Sequence, residues 1–359
     1  MRRLCGLLVS CVLVSACGGG GGGGSQPPPS TTLYVRTSGS DTNTGSSPDR
    51  ALKSVARAGA LLAPGVTVYV GPGRYKGRVD VVGVDATSRA PIQLIADPTG
   101  THTGDAAGDV ILDADGELFA LRLSNTPYVT IDGFVITGAQ PGTNTSATAI
   151  HVRSTSPNAV IRNCVIIDGG PADGIRVQNS TDVLIFNNLI FDNNRGIRIA
   201  DGSQRARIFN NTVVENRNSG ISIGGASSNG VASTDATVRN NIIQDNRNNV
   251  SISVEDGPPS SRVGYAGNYN LAFVADLADQ TKTYRPSVLR GDNDVNTDAL
   301  FVDVDHGDFH LDADSPAVDA GTGALDPLLL NDLFQRSTAL DGSVDSPPVD
   351  MGYHYPAAG

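Results

Sequence analysis

Five segments of this chain repeat one another, and that repetition limits the fold more than any other feature. IDGFVITG begins at Ile131, IRNCVIID at Ile161, IFNNLIFD at Ile185, IFNNTVVE at Ile208 and VRNNIIQD at Val238, at spacings of 30, 24, 23 and 30 residues. Between them runs a second series of short alternating stretches: ALRL ending at Leu123, IHV at Ile150, GIRV at Gly174, GIRI at Gly196, GISI at Gly220 and VSI at Val250. Each period therefore holds two or three short strands and no helix-length segment. A period of this length without a helix implies stacked β-coils rather than helical repeats.

Composition agrees with thin, repeated layers. The 359 residues include 42 Gly and 20 Pro, no Trp and only 5% aromatics, which argues against thick helical layers. Within GIRV and GIRI, residues Ile175, Val177, Ile197 and Ile199 alternate with Arg176 and Arg198, so the aliphatic set faces inward and the arginines outward. Five residues into the longer motif stand Ile136, Ile166, Ile190, Val213 and Ile243, an interior column. Two residues in stand Asn163, Asn187, Asn210 and Asn240, with Asn188, Asn211 and Asn241 beside three of them. Asn tolerates left-handed turns and bonds its copy in the next coil.

The Ile-x-Asn-Asn-x-Ile pattern following a Gly-Ile-x-Val strand resembles the right-handed parallel β-helix of pectate-lyase-like proteins, over about Val66 to Leu271. The expected fold class is all-β: a right-handed parallel β-helix with a short N-terminal capping helix and an irregular C-terminal cap. Cys164 takes an Asn place in the second ladder column and reads as a buried filler.

The first residues read as an address. Arg2 and Arg3, the apolar run Leu4 to Val14 and the small residues Ser15-Ala16 have the layout of a secretory signal peptide. Val14-Ser15-Ala16-Cys17 resembles the bacterial lipobox, which implies a lipidated Cys17 and a membrane partner through that lipid. Gly18 resembles lipoproteins sorted to an outer membrane, and Gly18 to Gly24 with Pro27-Pro28-Pro29 reads as a flexible tether. The expected organisation is signal peptide 1–16, tether 17–32, cap with helix 33–65, coils 66–271, and excursion and C-terminal cap 272–359. Cys5 and Cys11 would leave with the signal peptide and Cys17 would carry lipid, so Cys164 remains alone and no internal disulfide is available.

An open solenoid end exposes strand edges and core, so each end needs a cover. At the N-terminal end, Leu33 to Arg36 is the expected strand. A helix follows, with Ser47 or Asp49 as its cap, Leu52, Val55, Leu61 and Leu62 as its apolar face, and Pro64-Gly65 as its stop. Toward the other end, Ser315-Pro316-Ala317-Val318-Asp319-Ala320-Gly321 and Asp350-Met351-Gly352 resemble the C-terminal pattern of choice-of-anchor surface proteins. Residues 272–296 follow no repeat.

Charge narrows the partners. Twenty-six Lys and Arg against 37 Asp and Glu give a net charge of −11, which disfavours general nucleic-acid binding. Against that background the outward position of the alternating strand is unusual: Arg122, His151, Arg176, Arg198, Ser222 and Ser251 in successive coils. Parallel strands lie about 4.8 Å apart, so these groups form one column whose members repel each other. Arginines match carboxylates bidentately, so an acidic polysaccharide lying over Arg122 to Arg198 is the expected partner, with Arg153, Asp173 and Ser222 beside it. The competing expectation is a salt-bridge ladder with Asp168, Asp173, Asp192, Asp201 and Glu215.

The resemblance implies a groove for sugar chains beside this sheet, and with it a β-eliminating lyase. Arg176 and Arg198 would neutralise a uronate carboxylate, His151 would take the C5 proton, and Arg122 would assist. The chain departs from related catalytic patterns. Asn193-Asn194-Arg195-Gly196 stands where polygalacturonases carry paired Asp, Asp303 to His306 lacks the proline of the alginate-epimerase motif, and the coils assigned from the repeats hold no Lys. Calcium is the candidate cofactor, with Asp168, Asp192 and Glu215 (and Asp245) in one turn column and Asp303, Asp305 and Asp308 near the end; turn formation is the competing explanation. The functional expectation is a surface-anchored lipoprotein that binds, and cleaves by β-elimination, an acidic polysaccharide; the alternative is a non-catalytic structural or adhesive protein.

Overall fold

The computed structural model describes residues 31–357 apart from 141–146, 168–169, 225–230, 248–249, 258 and 276–282. Cys17, the leader, the tether and Asp168 lie outside these residues. Among the described residues, 25 strands stack as three parallel sheets of nine, eight and eight strands. The first sheet runs from Thr32–Val35 to Ala266–Asn268, the second from Val79–Val82 to Tyr284–Arg285, and the third from Gly73–Lys76 to Leu271–Phe273. From Thr67 onward each coil contributes one strand to each sheet, the extra strand of the first sheet being Thr32–Val35, so residues one period apart pair in register. Ile161, Ile185, Ile208 and Val238 follow one another on the first sheet, and Ile166, Ile190, Val213 and Ile243 on the third. All eight are completely buried. Stacking like on like lets β-branched side chains interlock along the axis.

Small residues are required where the second sheet begins. A Cβ on Gly174 would sit 2.8 Å from Ile190 Cγ2 and 2.7 Å from the Gly196 carbonyl oxygen; on Gly196 it would sit 2.2 Å from Val213 Cγ1. The Gly of the Gly-Ile-x-Val motif thus makes room for the interior column of the third sheet.

Three buried polar ladders fix the register. Asn188, Asn211, Asn241 and Asn270 link amide to amide at 2.9 to 3.0 Å, and Cys164 holds the first place, its N–H donating to Asn188 Oδ1 at 3.1 Å. Burial pushes the Cys164 thiol up to about 12, which keeps it protonated and inert. A second ladder of Asn193, Asn216 and Asn246 and a serine ladder of Ser156, Ser180 and Ser203 were not singled out from the sequence. The outer asparagines Asn163, Asn187, Asn210 and Asn240 all adopt positive φ. Asn187 donates to Asn163 at 2.9 Å, but their larger role is to hold the C-terminal region. Asn187 exchanges bonds with the backbone of His354, Asn210 donates to Asp350 O, and Asn240 exchanges bonds with the backbone of Thr322.

Both ends differ from the sequence expectation. Thr32–Val35 pairs in parallel with Thr67–Val70, so the coil starts at the strand assigned to the cap, whose Leu33 and Val35 enter the core. The capping helix is only Val55–Gly59; Ser54, not Ser47 or Asp49, caps it by accepting from Arg57 N, and Asp41 holds Ser54 in place. Residues 272–296 are not an excursion throughout, because Leu271–Phe273 and Tyr284–Arg285 add rungs to the third and second sheets. Asp294 ends the asparagine ladder by accepting from Asn270 N at 2.8 Å.

Residues beyond 296 run back along the flank. Leu333 and Val349 cover Leu184, Phe186 and Phe209 on the outside of the first sheet. Phe309 and Tyr353 cover Leu189 and Val214 on the outside of the third, and Met351, Leu311 and Ala317 cover Ile242 and Leu271. This explains why those strands are apolar on both faces. None of these clusters includes a residue of the second sheet, whose outer face carries polar side chains.

Candidate functional site

The column inferred from the repeats forms. On the outside of the second sheet Asp80, Arg122, His151, Arg176, Arg198, Ser222, Ser253 and Arg285 succeed one another in register. The sixth expected member is corrected: Ser253, not Ser251, pairs with Ser222, because Ile252 stacks on Ile221 and Ser251 is buried. A parallel column holds Ser124 beside Arg153 on one pair of strands and Gln178 beside Ala200 on the next. Toward the strand starts, Phe119, Thr148 and Asp173 align.

Partial neutralisation is the second finding. Arg122 Nε donates to Asp80 Oδ1 at 2.7 Å, Arg176 reaches Asp201 at 3.4 Å, and Asp173 lies 3.3 Å from Arg195 and 3.8 Å from Arg198. Arg153 donates to Ser154 Oγ at 3.2 Å, and no described carboxylate bridges Arg285 or Arg153. Of six arginines here (Arg122, Arg153, Arg176, Arg195, Arg198 and Arg285), four thus pair with three aspartates. Of the acids expected in a ladder, Asp173 and Asp201 take part, whereas Asp192 faces Arg217 at 3.8 Å. Arg198 feels the crowding: burial first, then the neighbouring Arg176, lowers its affinity for its proton. The guanidinium remains charged, so an incoming anion would relieve this repulsion.

His151 does not fit the expected role of base. Although it points outward, it is 4% exposed, with the Phe119 ring 5.1 Å away and Arg122 above that ring at 5.8 Å. Gln178 donates its amide hydrogen to Asp201 and turns Oε1 to His151 Nε2 at 2.9 Å. That arrangement assigns the proton to Nε2 and leaves Nδ1 as a buried acceptor without a partner. A proton on a bound sugar cannot touch a nitrogen so covered. Burial chiefly, then Arg176, Arg153 and Arg122, lowers its pKa from 6.5 to about 4.

A stability signature follows. Between pH 6.5 and 4 the unfolded chain binds a proton that the folded chain refuses. The contribution is therefore complete above pH 6.5, shrinks as pH falls through that window and is exhausted below pH 4. The expected loss is about 3 kcal/mol. Denaturant titrations of the protein and of His151→Gln across this range check it, since the variant should lack this component of the slope.

Beside the column the surface sinks into a cleft of about 540 Å³, lined by Arg195, Arg198, Ser222, Ser253, Arg285, Glu255 and Asp256 among others. Arg195, Ser253 and Arg285 were missed in the sequence; Arg285 lies beyond the last recognisable repeat. A second cleft of the same volume lies in the C-terminal region, where Asp312, Asp319, Asp341, Asp345 and Asp350 line it, and its charge is wrong for an anion.

Of the calcium candidates, Asp168 lies outside the described residues. Among the described residues no group of three or more His, Cys, Asp or Glu side chains converges on a point that could hold a metal. Asp192, Glu215 and Asp245 sit at left-handed turn positions, with φ of 53, 51 and 50°, so turn geometry accounts for that column. Asp303 bonds His306 at 2.8 Å and Asp308 bonds His310 at 2.5 Å.

Comparison with known proteins agrees with this architecture. A family described as right handed beta helix region matches residues 117–264. No curated protein matches the chain in sequence. Among solved structures, a rhamnogalacturonan lyase aligns with a TM-score of 0.52 at 14% identity, over 83% of this chain and 97% of its own. A pectate lyase aligns at 0.49 and 16%, over 82% and 93%. For a lacto-N-biosidase from Eubacterium ramulus the values are 0.48 and 14%, over 68% of this chain, which spans only 56% of that enzyme. At such identities the likeness is one of fold: this chain is a right-handed parallel β-helix.

Proposed function

We propose that the protein binds acidic polysaccharide along the outer face of its second sheet, as a lipid-anchored surface protein held through Cys17. One observation carries the binding reading: six arginines line the face that the C-terminal region leaves bare, four of them paired with only three aspartates and two with no described carboxylate. Exposed ion pairs contribute only about 0 to 1 kcal/mol each, so stability does not account for so many like charges side by side. Carboxylates spaced along a polymer fit the stripe in charge and geometry. The rhamnogalacturonan and pectate lyases that share the fold are named for polymers of this kind, which supports a glycan ligand without transferring an activity. The lipobox-like Val14-Ser15-Ala16-Cys17 and the glycine tether support the anchor.

The burial of His151 favours binding without elimination. Affinity electrophoresis through gels containing polygalacturonate, rhamnogalacturonan or a neutral galactan, alongside an absorbance assay for unsaturated uronate, tests both parts. The expected result is retardation by the two acidic polymers only, with no unsaturated product. Equal migration in all gels removes the glycan reading in favour of a structural or adhesive role, and product formation removes the non-catalytic one.

A further inference from the structure

Two guanidiniums on this face differ from the rest. Arg122, Arg176, Arg195 and Arg198 each lie within reach of an aspartate, whereas no described carboxylate bridges Arg153 or Arg285. Arg153 Nε donates to Ser154 Oγ at 3.2 Å. Arg285 is exposed beside the cleft it lines, and Asp256 of the same cleft is bridged to Arg262 at 2.8 Å. The strands that carry the two, Thr148–Arg153 and Tyr284–Arg285, are separated by four others in the second sheet. Five strand spacings amount to about 24 Å along the stack. Arg153 lies two residues past His151 on the same face of its strand, and Arg285 lies in the His151 column, which adds about 7 Å across the sheet. Between them stand the ion-paired Arg176 and Arg198, then Ser222 and Ser253, whose hydroxyls lie 3.5 Å apart.

We infer that the face holds two separate carboxylate subsites, one at Arg153 and one at Arg285, and that tight binding needs a glycan long enough to occupy both. The inference rests on the acidic-polysaccharide reading above. An unpaired guanidinium offers its whole fork of donors to an incoming carboxylate. At Arg176 and Arg198 the same carboxylate also meets the charge of Asp201 or Asp173, so its net gain is smaller. The sugars over the middle rungs therefore act mainly as a connection. Once one end of a chain is held, its other end meets the second subsite at an effective concentration set by that connection, and a chain too short to span gains nothing from it.

Calorimetric titration of the full-length protein with a graded series of oligogalacturonates tests the span, one set with extended lengths below about 24 Å and one set above. The short set should bind two per protein. The long set should bind one per protein and about a hundred-fold tighter. In Arg153→Ala the short set should bind one per protein, and the step in affinity should vanish. A single site for the short set in the unaltered protein, affinity that climbs evenly with length, or a step that survives in Arg153→Ala overturns the two-subsite span while leaving acidic-glycan binding in place. Absence of binding at every length overturns the acidic-glycan reading itself, and the span with it.

Discussion

Asn211→Ala should lower the unfolding free energy by about 4 kcal/mol, because one substitution strands several buried groups at once. The Asn211 amide nitrogen lies 3.0 Å from Ile185 O, 3.0 Å from Phe209 O and 3.0 Å from Asn241 Oδ1. Its oxygen accepts from Asn188 N at 3.0 Å and from Asn188 Nδ2 at 2.9 Å. The residue is completely buried, and water has no route to replace these bonds. The deficit also falls at the middle of a stack, where each coil depends on its neighbours. Guanidinium unfolding measures the effect, with Asn331→Ala as comparison; that exposed helix residue should cost within about 0.5 kcal/mol. A loss below about 1 kcal/mol at Asn211 would mean that the ladder does not hold the coils.

Removing both Arg198 and Arg285 should weaken acidic-glycan binding about a hundred-fold. Each charge-assisted contact to a carboxylate is worth about 1.5 to 3 kcal/mol, and two lost at the lower figure amount to two factors of ten. The fold should survive, since both side chains lie on the outer face and Arg285 is exposed. Asp173 retains Asn194 at 2.9 Å and Arg195 at 3.3 Å when Arg198 is gone. Arg205→Ala provides the control: this arginine pairs with Asp182 at 2.7 Å next to a strand of the first sheet, and its loss should leave the affinity unchanged.

The stripe was legible because alternation and period are local properties that stacking preserves. Gly-Ile-Arg-Val and Gly-Ile-Arg-Ile place Arg176 and Arg198 on one face, and their equal offsets from the next motif place them on one column. What the pattern does not encode is the covering of a position by its neighbours. His151 occupies an outward site, yet Phe119 of the preceding coil lies against its ring, a contact between residues 32 positions apart in the chain. The Ser251 assignment failed for a different reason: in Val250-Ser251-Ile252-Ser253-Val254 both serines alternate with aliphatic residues, and only the pairing of Ile252 with Ile221 decides between them. The flank was hidden similarly. Leu184, Phe186 and Phe209 look like surplus core until the C-terminal region is seen lying over them.

The most direct test of the account is a titration of the protein and of its Arg198→Ala, Arg285→Ala double variant with rhamnogalacturonan oligosaccharide at low and high salt. Binding to the unaltered protein should weaken as salt rises, and the variant should show an about hundred-fold loss with a shallower salt dependence. Undiminished affinity in the variant, or binding indifferent to salt, would contradict it.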